Sequence, residues 1–142
     1  MGLLDGAIFP EHEELNEAPM FYAEAPDGER DVSEIVRCVR FRKLCANTLP
    51  KVKLWANANA GRRNPMQARR EGILAGVFDY TAVWTGGFAL IEFKGYSKRR
   101  PGKLSPQQIS FGNAMIARGH NAACFFDPVA AVEWLKKCGA PQ

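Results

Sequence analysis

The chain has 142 residues, 46% hydrophobic and 24% charged, the proportions of one soluble globular domain and too little length for two comfortable ones. No apolar run approaches the ~18 residues of a membrane span, and Met1-Gly2-Leu3-Leu4-Asp5 lacks the basic start of a secretory signal, so a cytoplasmic protein without membrane contact is expected. The net charge of +4 hides a division: residues 1–34 hold ten acids against one arginine, net −9, while residues 35–142 hold eighteen basic residues against five acids, net +13, the footprint of a polyanion binder.

In chain order, residues 1–30 carry Pro10, Pro19 and Pro26 and many acids without a sustained period, and read as an acidic arm ahead of a domain at 31–142. Phe9, Phe21 and Tyr22 are the arm's candidates for packing along that domain. A first helix starts near Asp31 or Ser33 and runs to about Asn47, with Val32, Ile35, Val36, Cys38 and Val39 on its inner side. A short strand spans Lys51 to Ala56, a polar loop residues 57–65, and a short helix from Pro65 to Leu74 carries Arg69 and Arg70. Two apolar runs follow, Gly76 to Trp84 and Phe88 to Lys94, and their Gly86-Gly87 connection predicts a tight hairpin. Gly95 to Lys103 reads as a basic, mobile linker.

Ser105-Pro106 then opens a helix, with serine as N-cap and proline at the first helical position, that stops at Gly119. A strand from Asn121 to Phe126 and a helix from Val129 to Cys138, capped by Asp127-Pro128, complete the chain. Strand, helix, strand in this order predicts a right-handed crossover to a parallel neighbour. The whole is an α/β chain with a mixed sheet flanked by helices, in the order α-β-β-β-α-β-α. Cys38, Cys45, Cys124 and Cys138 include no Cys-x-x-Cys pair and fit small buried hydrophobes better than a zinc or redox motif. Trp84 and Trp134 are assigned to the core, as is Trp55 in preference to stacking on a base, and His12 and His120 to the surface.

Ile91-Glu92-Phe93-Lys94 sets a carboxylate and an ammonium two residues apart at the end of an apolar strand, hence on one face. With Gly86-Gly87 as the hairpin loop, Thr85 pairs with Phe88, Thr81 with Glu92 and Asp79 with Lys94. Opposed residues share a face, so Asp79, Glu92 and Lys94 converge on one patch, whereas a one-residue slip would send Asp79 to the other face. Two carboxylates in an otherwise basic surface suit Mg²⁺ or Mn²⁺, hard cations that take oxygen ligands, and the adjacent ammonium suits a phosphoryl transition state. A structural ion pair between Glu92 and Lys94 is the plainer alternative. The basic clusters Arg62-Arg63, Arg69-Arg70 and Lys98-Arg99-Arg100 with Lys103 are candidate phosphate contacts.

These residues resemble a family. Asp79 followed by Glu92-Phe93-Lys94 is similar to the D-x(n)-[DE]-x-K signature of the PD-(D/E)XK nucleases, which have a restriction-endonuclease-like core. The closer resemblance is to the virus-type replication-repair nuclease domain (VRR-NUC), in its small stand-alone phage and bacterial form: Gly76-Val77-Phe78-Asp79 for G-x-P-D, Ile91-Glu92-Phe93-Lys94 for I-E-x-K, and Leu104-Ser105-Pro106-Gln107-Gln108 for L-S-x-x-Q, over about residues 31 to 137. Phe78 stands where that pattern has proline. The resemblance implies Asp79, Glu92 and the Phe93 carbonyl as metal ligands, Lys94 as the catalytic ammonium, Gln108 as an active-site residue, and Glu34 as a further acid from the first helix. It implies a homodimeric, metal-dependent DNA endonuclease, branched DNA such as a Holliday junction among its substrates. Ser105-x-x-Gln108 and Asp31-x-x-Glu34 are also capping boxes, which leaves both side chains a purely structural alternative. A nucleic-acid-binding module without catalysis is the alternative for the whole chain.

Overall fold

The structure, a computed structural model, describes residues 17–58 and 64–142. Arg62 and Arg63 lie outside the described residues, as do Phe9 and His12. The elements in order are β1 (Tyr22–Ala23), α1 (Glu34–Thr48), β2 (Lys53–Ala56), α2 (Pro65–Arg70), β3 (Tyr80–Trp84), β4 (Gly87–Phe93), β5 (Tyr96–Ser97), β6 (Arg100–Pro101), α3 (Pro106–Ala117), β7 (Asn121–Phe125) and α4 (Pro128–Lys137). A five-stranded mixed sheet runs β1-β7-β4-β3-β2, and β5 and β6 pair apart from it. β2, β3 and β4 are antiparallel neighbours; β4 with β7 and β7 with β1 are parallel. The helix between β4 and β7 therefore makes the expected crossover between parallel strands.

Helices cover both faces. Even-numbered residues of β3 and odd-numbered residues of β4 (Tyr80, Ala82, Trp84, Ala89, Ile91, Phe93) pack against Phe41 and Cys45 of α1 and Ala131, Val132 and Leu135 of α4. The opposite face carries Leu90, Ala122 and Cys124 with Phe21 and Phe78, under Phe111, Met115 and Ile116 of α3. The period-two alternation of β4 thus places Leu90 and Glu92 on the α3 side. No helix among the described residues is long and apolar enough to cross a membrane.

Four expectations are corrected. First, α1 turns a different face inward: Arg37, Phe41 and Cys45, spaced i, i+4, i+8, are buried, whereas Ile35 and Val36 are exposed. Second, Gly95–Lys103 is a hairpin rather than a linker. Third, Trp55 lies on the edge strand β2 and is 45% exposed, because α1 and α4 cover the middle of the sheet and not its rim. Fourth, the β3–β4 loop is Thr85-Gly86, with Trp84 opposite Gly87, a shift of two residues from the expected pairing. Gly86 supplies the positive φ of 92° that a tight turn needs, and Gly87 is already in the strand. A shift of two keeps every side chain on its face.

Residues 17–33 form a strap across the domain. Phe21 enters the smaller core beside Phe78, while Tyr22 stays exposed although its ring lies 5.5 Å from that of Phe125. Asn113 of α3 accepts from the Met20 amide at 2.7 Å and donates to the Glu17 carboxylate and the Ala18 carbonyl. Glu24 accepts from the amides of Phe126 and Asp127 at the start of α4. Arg37, only 1% exposed, holds the far end: it donates to both oxygens of Asp27 and to the carbonyls of Glu29, Val32 and Phe126. Its guanidinium also lies over the rings of Tyr96 and Phe126, at 5.7 and 5.6 Å from their centroids.

Candidate active site

The β3–β4 hairpin is built so that its open end is charged. The ladder stops at Tyr80 opposite Ile91, and the next residues in that register, Asp79 and Glu92, continue it through side chains. The Asp79 amide donates to Glu92 Oε1 at 3.1 Å, and the Phe93 amide donates to Asp79 Oδ2 at 2.8 Å. Asp79 thus places a carboxylate where a further strand residue would place a carbonyl. The amide and carbonyl of one strand residue leave on the same side, so the Phe93 carbonyl is directed to the Asp79 side as well.

Lys94 follows directly after β4, and its Nζ is 3.3 Å from Glu92 Oε2. Gln108 approaches the same oxygen from α3, with Nε2 at 2.7 Å, while its Oε1 accepts from the Ser105 amide at 2.9 Å. Helix cap and site contact, alternatives in the sequence, are the two ends of one amide group: the capping box fixes the rotamer that aims the donor at Glu92. Gly76 makes this closeness possible. A Cβ there would stand 2.3 Å from the Gln107 carbonyl oxygen, so any side chain would push α3 away from the loop that leads into Asp79.

Glu34 is brought up by a second close approach. A Cβ on Gly95 would lie 2.2 Å from the Glu34 nitrogen, so the first turn of α1 rests directly on the residue after Lys94. The N-cap of α1 is Ser33, whose Oγ accepts from the Val36 amide at 3.4 Å; Asp31 is not the cap, and Glu34 is therefore not the partner in a capping box. Asn57, read from the sequence only as part of a polar loop, clamps the approach to Asp79. Its amide donates to the Asp79 carbonyl, its Nδ2 to the Phe78 carbonyl, and its Oδ1 accepts from Thr81. Asparagine in an Asn/Gly-rich stretch gives no signal of that role.

The electrostatics follow from burial. Glu92 is 2% exposed, and desolvation first, then the charge of Asp79, pushes its carboxyl up to about 8 against the opposing pull of Lys94. Asp79 is also raised, by burial, with the Phe93 amide and Lys94 opposing. Glu34 is raised by burial and by Asp79, whose charge it feels across the site. Among the described residues no three His, Cys, Asp or Glu side chains gather into a metal-ligand cluster. The acidic groups gathered here are the Asp79 and Glu92 carboxylates, with Glu34 near enough to feel the charge of Asp79.

A groove of about 700 Å³ runs from this point between α1 and the ends of β2 and β3, past Glu34, Cys38, Arg42, Asn57, Asp79 and Tyr80. Arg42 donates to the Tyr80 hydroxyl at 2.6 Å along its wall. Of the basic residues singled out, Lys98, Arg99 and Arg100 form the exposed tip of the β5–β6 hairpin with Lys103 just after it, and Arg69 and Arg70 are exposed in the last turn of α2. All four cysteines carry free thiols, Cys45 and Cys124 buried, Cys38 and Cys138 half-buried. Compared with protein-family models, curated proteins and solved structures, the chain matches none.

Proposed function

We propose that this chain is a metal-dependent deoxyribonuclease of the PD-(D/E)XK type, similar to the VRR-NUC domain, cutting DNA internally by hydrolysis of phosphodiester bonds. One observation carries the reading: Asp79 just before β3, Glu92 in β4, Lys94 just after it and Gln108 in α3 meet through contacts of 2.7 to 3.3 Å at the end of one hairpin. A structural ion pair explains Glu92 and Lys94. It does not explain a second, half-buried carboxylate whose charge acts on the first, since like charges shielded from water cost free energy unless a cation or a proton joins them.

The donor set fits Mg²⁺ or Mn²⁺, which are bound through one or two carboxylates with water completing the shell. Asp79, Glu92 and the Phe93 carbonyl are the ligands, with Glu34 as the acid at the outer side. Bound there, the cation supplies Lewis-acid polarisation of the phosphoryl group and a water of lowered pKa. The protein's own groups do the rest. Lys94 donates to the attacking water or to the phosphoryl oxygen on which charge develops. Gln108 keeps the Glu92 carboxylate from turning, and the basic residues hold the polyanion across the site. Selectivity for DNA shape rather than sequence, with a homodimer facing a four-way junction, completes the proposal.

The test is cleavage of matched duplex, single-stranded, flap and four-way-junction DNAs in Mg²⁺ and in Mn²⁺, beside Lys94→Ala. Cutting by the wild type that falls by about 100-fold or more in the variant supports the reading. DNA binding with no cutting in either metal replaces it with a non-catalytic binding module.

A further inference from the structure

The segment between Lys94 and α3 is a hairpin whose turn departs from the residues its geometry favours. A two-residue turn with both φ angles positive is of type I′, where Asn-Gly is preferred because a Cβ is disfavoured in the left-handed region. Here the two positions are Lys98 and Arg99, at φ 51° and 62°. The base of the hairpin is held from several sides. Tyr96 is buried; its hydroxyl accepts from the Gly28 amide at 2.9 Å, its own amide donates to the Val32 carbonyl, and its ring lies 5.9 Å from that of Phe126. The Gly102 amide donates to the Gly95 carbonyl at 2.8 Å, closing the hairpin next to Lys94.

Beyond that base the tip is bare, with Lys98, Arg99 and Arg100 consecutive and all exposed. Arg99 pairs with Asp31 at 2.7 Å, but the two side chains are 63% and 83% exposed, so the pair is screened by water and readily exchanged for another anion.

We infer that this hairpin is a rigid basic finger that grips the phosphate backbone of duplex DNA beside the Glu92 site, with Lys98 and Arg99 as its contacts and Asp31 as the placeholder that a phosphate displaces. The choice of DNA as ligand rests on the nuclease reading above. A turn that retains two long cationic side chains in a conformation better served by Asn-Gly is accounted for by what those side chains touch outside the hairpin. The anchored base means that little ordering remains to be done on binding. At roughly 3.3 Å per residue the tip stands about 10 Å beyond Gly95, about three base steps of 3.4 Å, so the finger holds DNA to one side of the bond that is cut.

The test replaces the tip with the sequence the turn prefers, Lys98→Asn together with Arg99→Gly, in the full chain. Binding of a short DNA duplex is followed by fluorescence anisotropy in EDTA over a salt series. Loss of two phosphate contacts lowers the slope of log K against log salt by about 1.8 and weakens binding by about 60-fold at 0.1 M salt, with a melting temperature equal to or above that of the wild type. An unchanged slope and affinity in the folded variant overturns the inference, and so does a fall in melting temperature, which would make Lys98 and Arg99 structural. The two readings fail separately: a wild type that binds duplex with the full slope but cuts nothing in Mg²⁺ ends the nuclease proposal and leaves the finger standing.

Discussion

Glu92→Gln tests whether the buried carboxylate is a burden on the folded protein. Its carboxyl is pushed from 4.5 up to about 8 in the native state. Between those values the native chain holds a proton that the unfolded chain has released, so stability falls as pH rises through the window and is unaffected below it. At about 1.4 kcal/mol per pH unit, wild-type stability drops by about 4 kcal/mol from pH 5 to pH 8 on account of this one group. The glutamine variant lacks that proton and lacks the drop. It carries a different cost: Oε1 accepts from the Asp79 amide and Oε2 from Gln108, with Lys94 beside it, so either orientation of the new amide sets its NH₂ against a donor. That conflict costs about 1–3 kcal/mol and does not vary with pH. The variant is therefore less stable than the wild type at pH 5 and as stable or more stable at pH 8. Urea denaturation of both proteins in EDTA at several pH values measures the difference. Parallel stability profiles across pH 5 to 8 would refute the reasoning, because they would mean Glu92 is ionised throughout.

Gly95→Ala pushes a methyl group into the start of α1, and the 2.2 Å approach to the Glu34 nitrogen predicts a loss of about 1–3 kcal/mol in chemical denaturation; wild-type stability would show that the helix does not rest there. Arg37→Ala leaves Asp27 and three carbonyls without their donor and costs about 3–5 kcal/mol, and Arg37→Lys recovers less than half of it because one ammonium cannot reproduce the guanidinium fork. Asp27 reports on the same clamp by NMR titration: Arg37 beside it holds its carboxyl below the usual 3.8, so its stabilising contribution is complete above that pH and lost as pH falls through the lowered value. In Arg37→Ala that acid limb shrinks, because only the backbone amides that Asp27 accepts from are left to favour its charged form.

What could be read from the sequence was what depends on parity and local signals. The β3–β4 hairpin is legible because strand side chains repeat every two, so a pairing error of two residues leaves the faces of its ladder unchanged, and the cap of α3 is visible in Ser105-Pro106. The single face expected for Asp79 with Glu92 is not what brings them together, since Phe78 on the α3 face and Tyr80 on the α1 face show the alternation breaking at Asp79, whose amide meets Glu92 instead. What could not be read depends on distant partners. Arg37 looks like any solvated helix arginine until Asp27, Tyr96 and Phe126 arrive around it. The β5–β6 hairpin was hidden because Lys98-Arg99 is not a turn signature. In the sequence Gln108 reads as cap or site residue, because a one-dimensional pattern cannot show that an amide has two ends in use.

The Thr85-Gly86 loop also bears on the order in which the site comes into being. A hairpin closed by two residues forms in about 1–10 μs in isolation, with no need for distant chain to arrive. Asp79, Glu92 and Lys94 all belong to that one local unit, so the repulsion between the two acids and the cation that offsets it are assembled in the same event. Gln108 and Glu34 join only when α3 and α1 dock, which requires longer loops to close. The reactive centre is local in origin, and what arrives later from afar is its orientation.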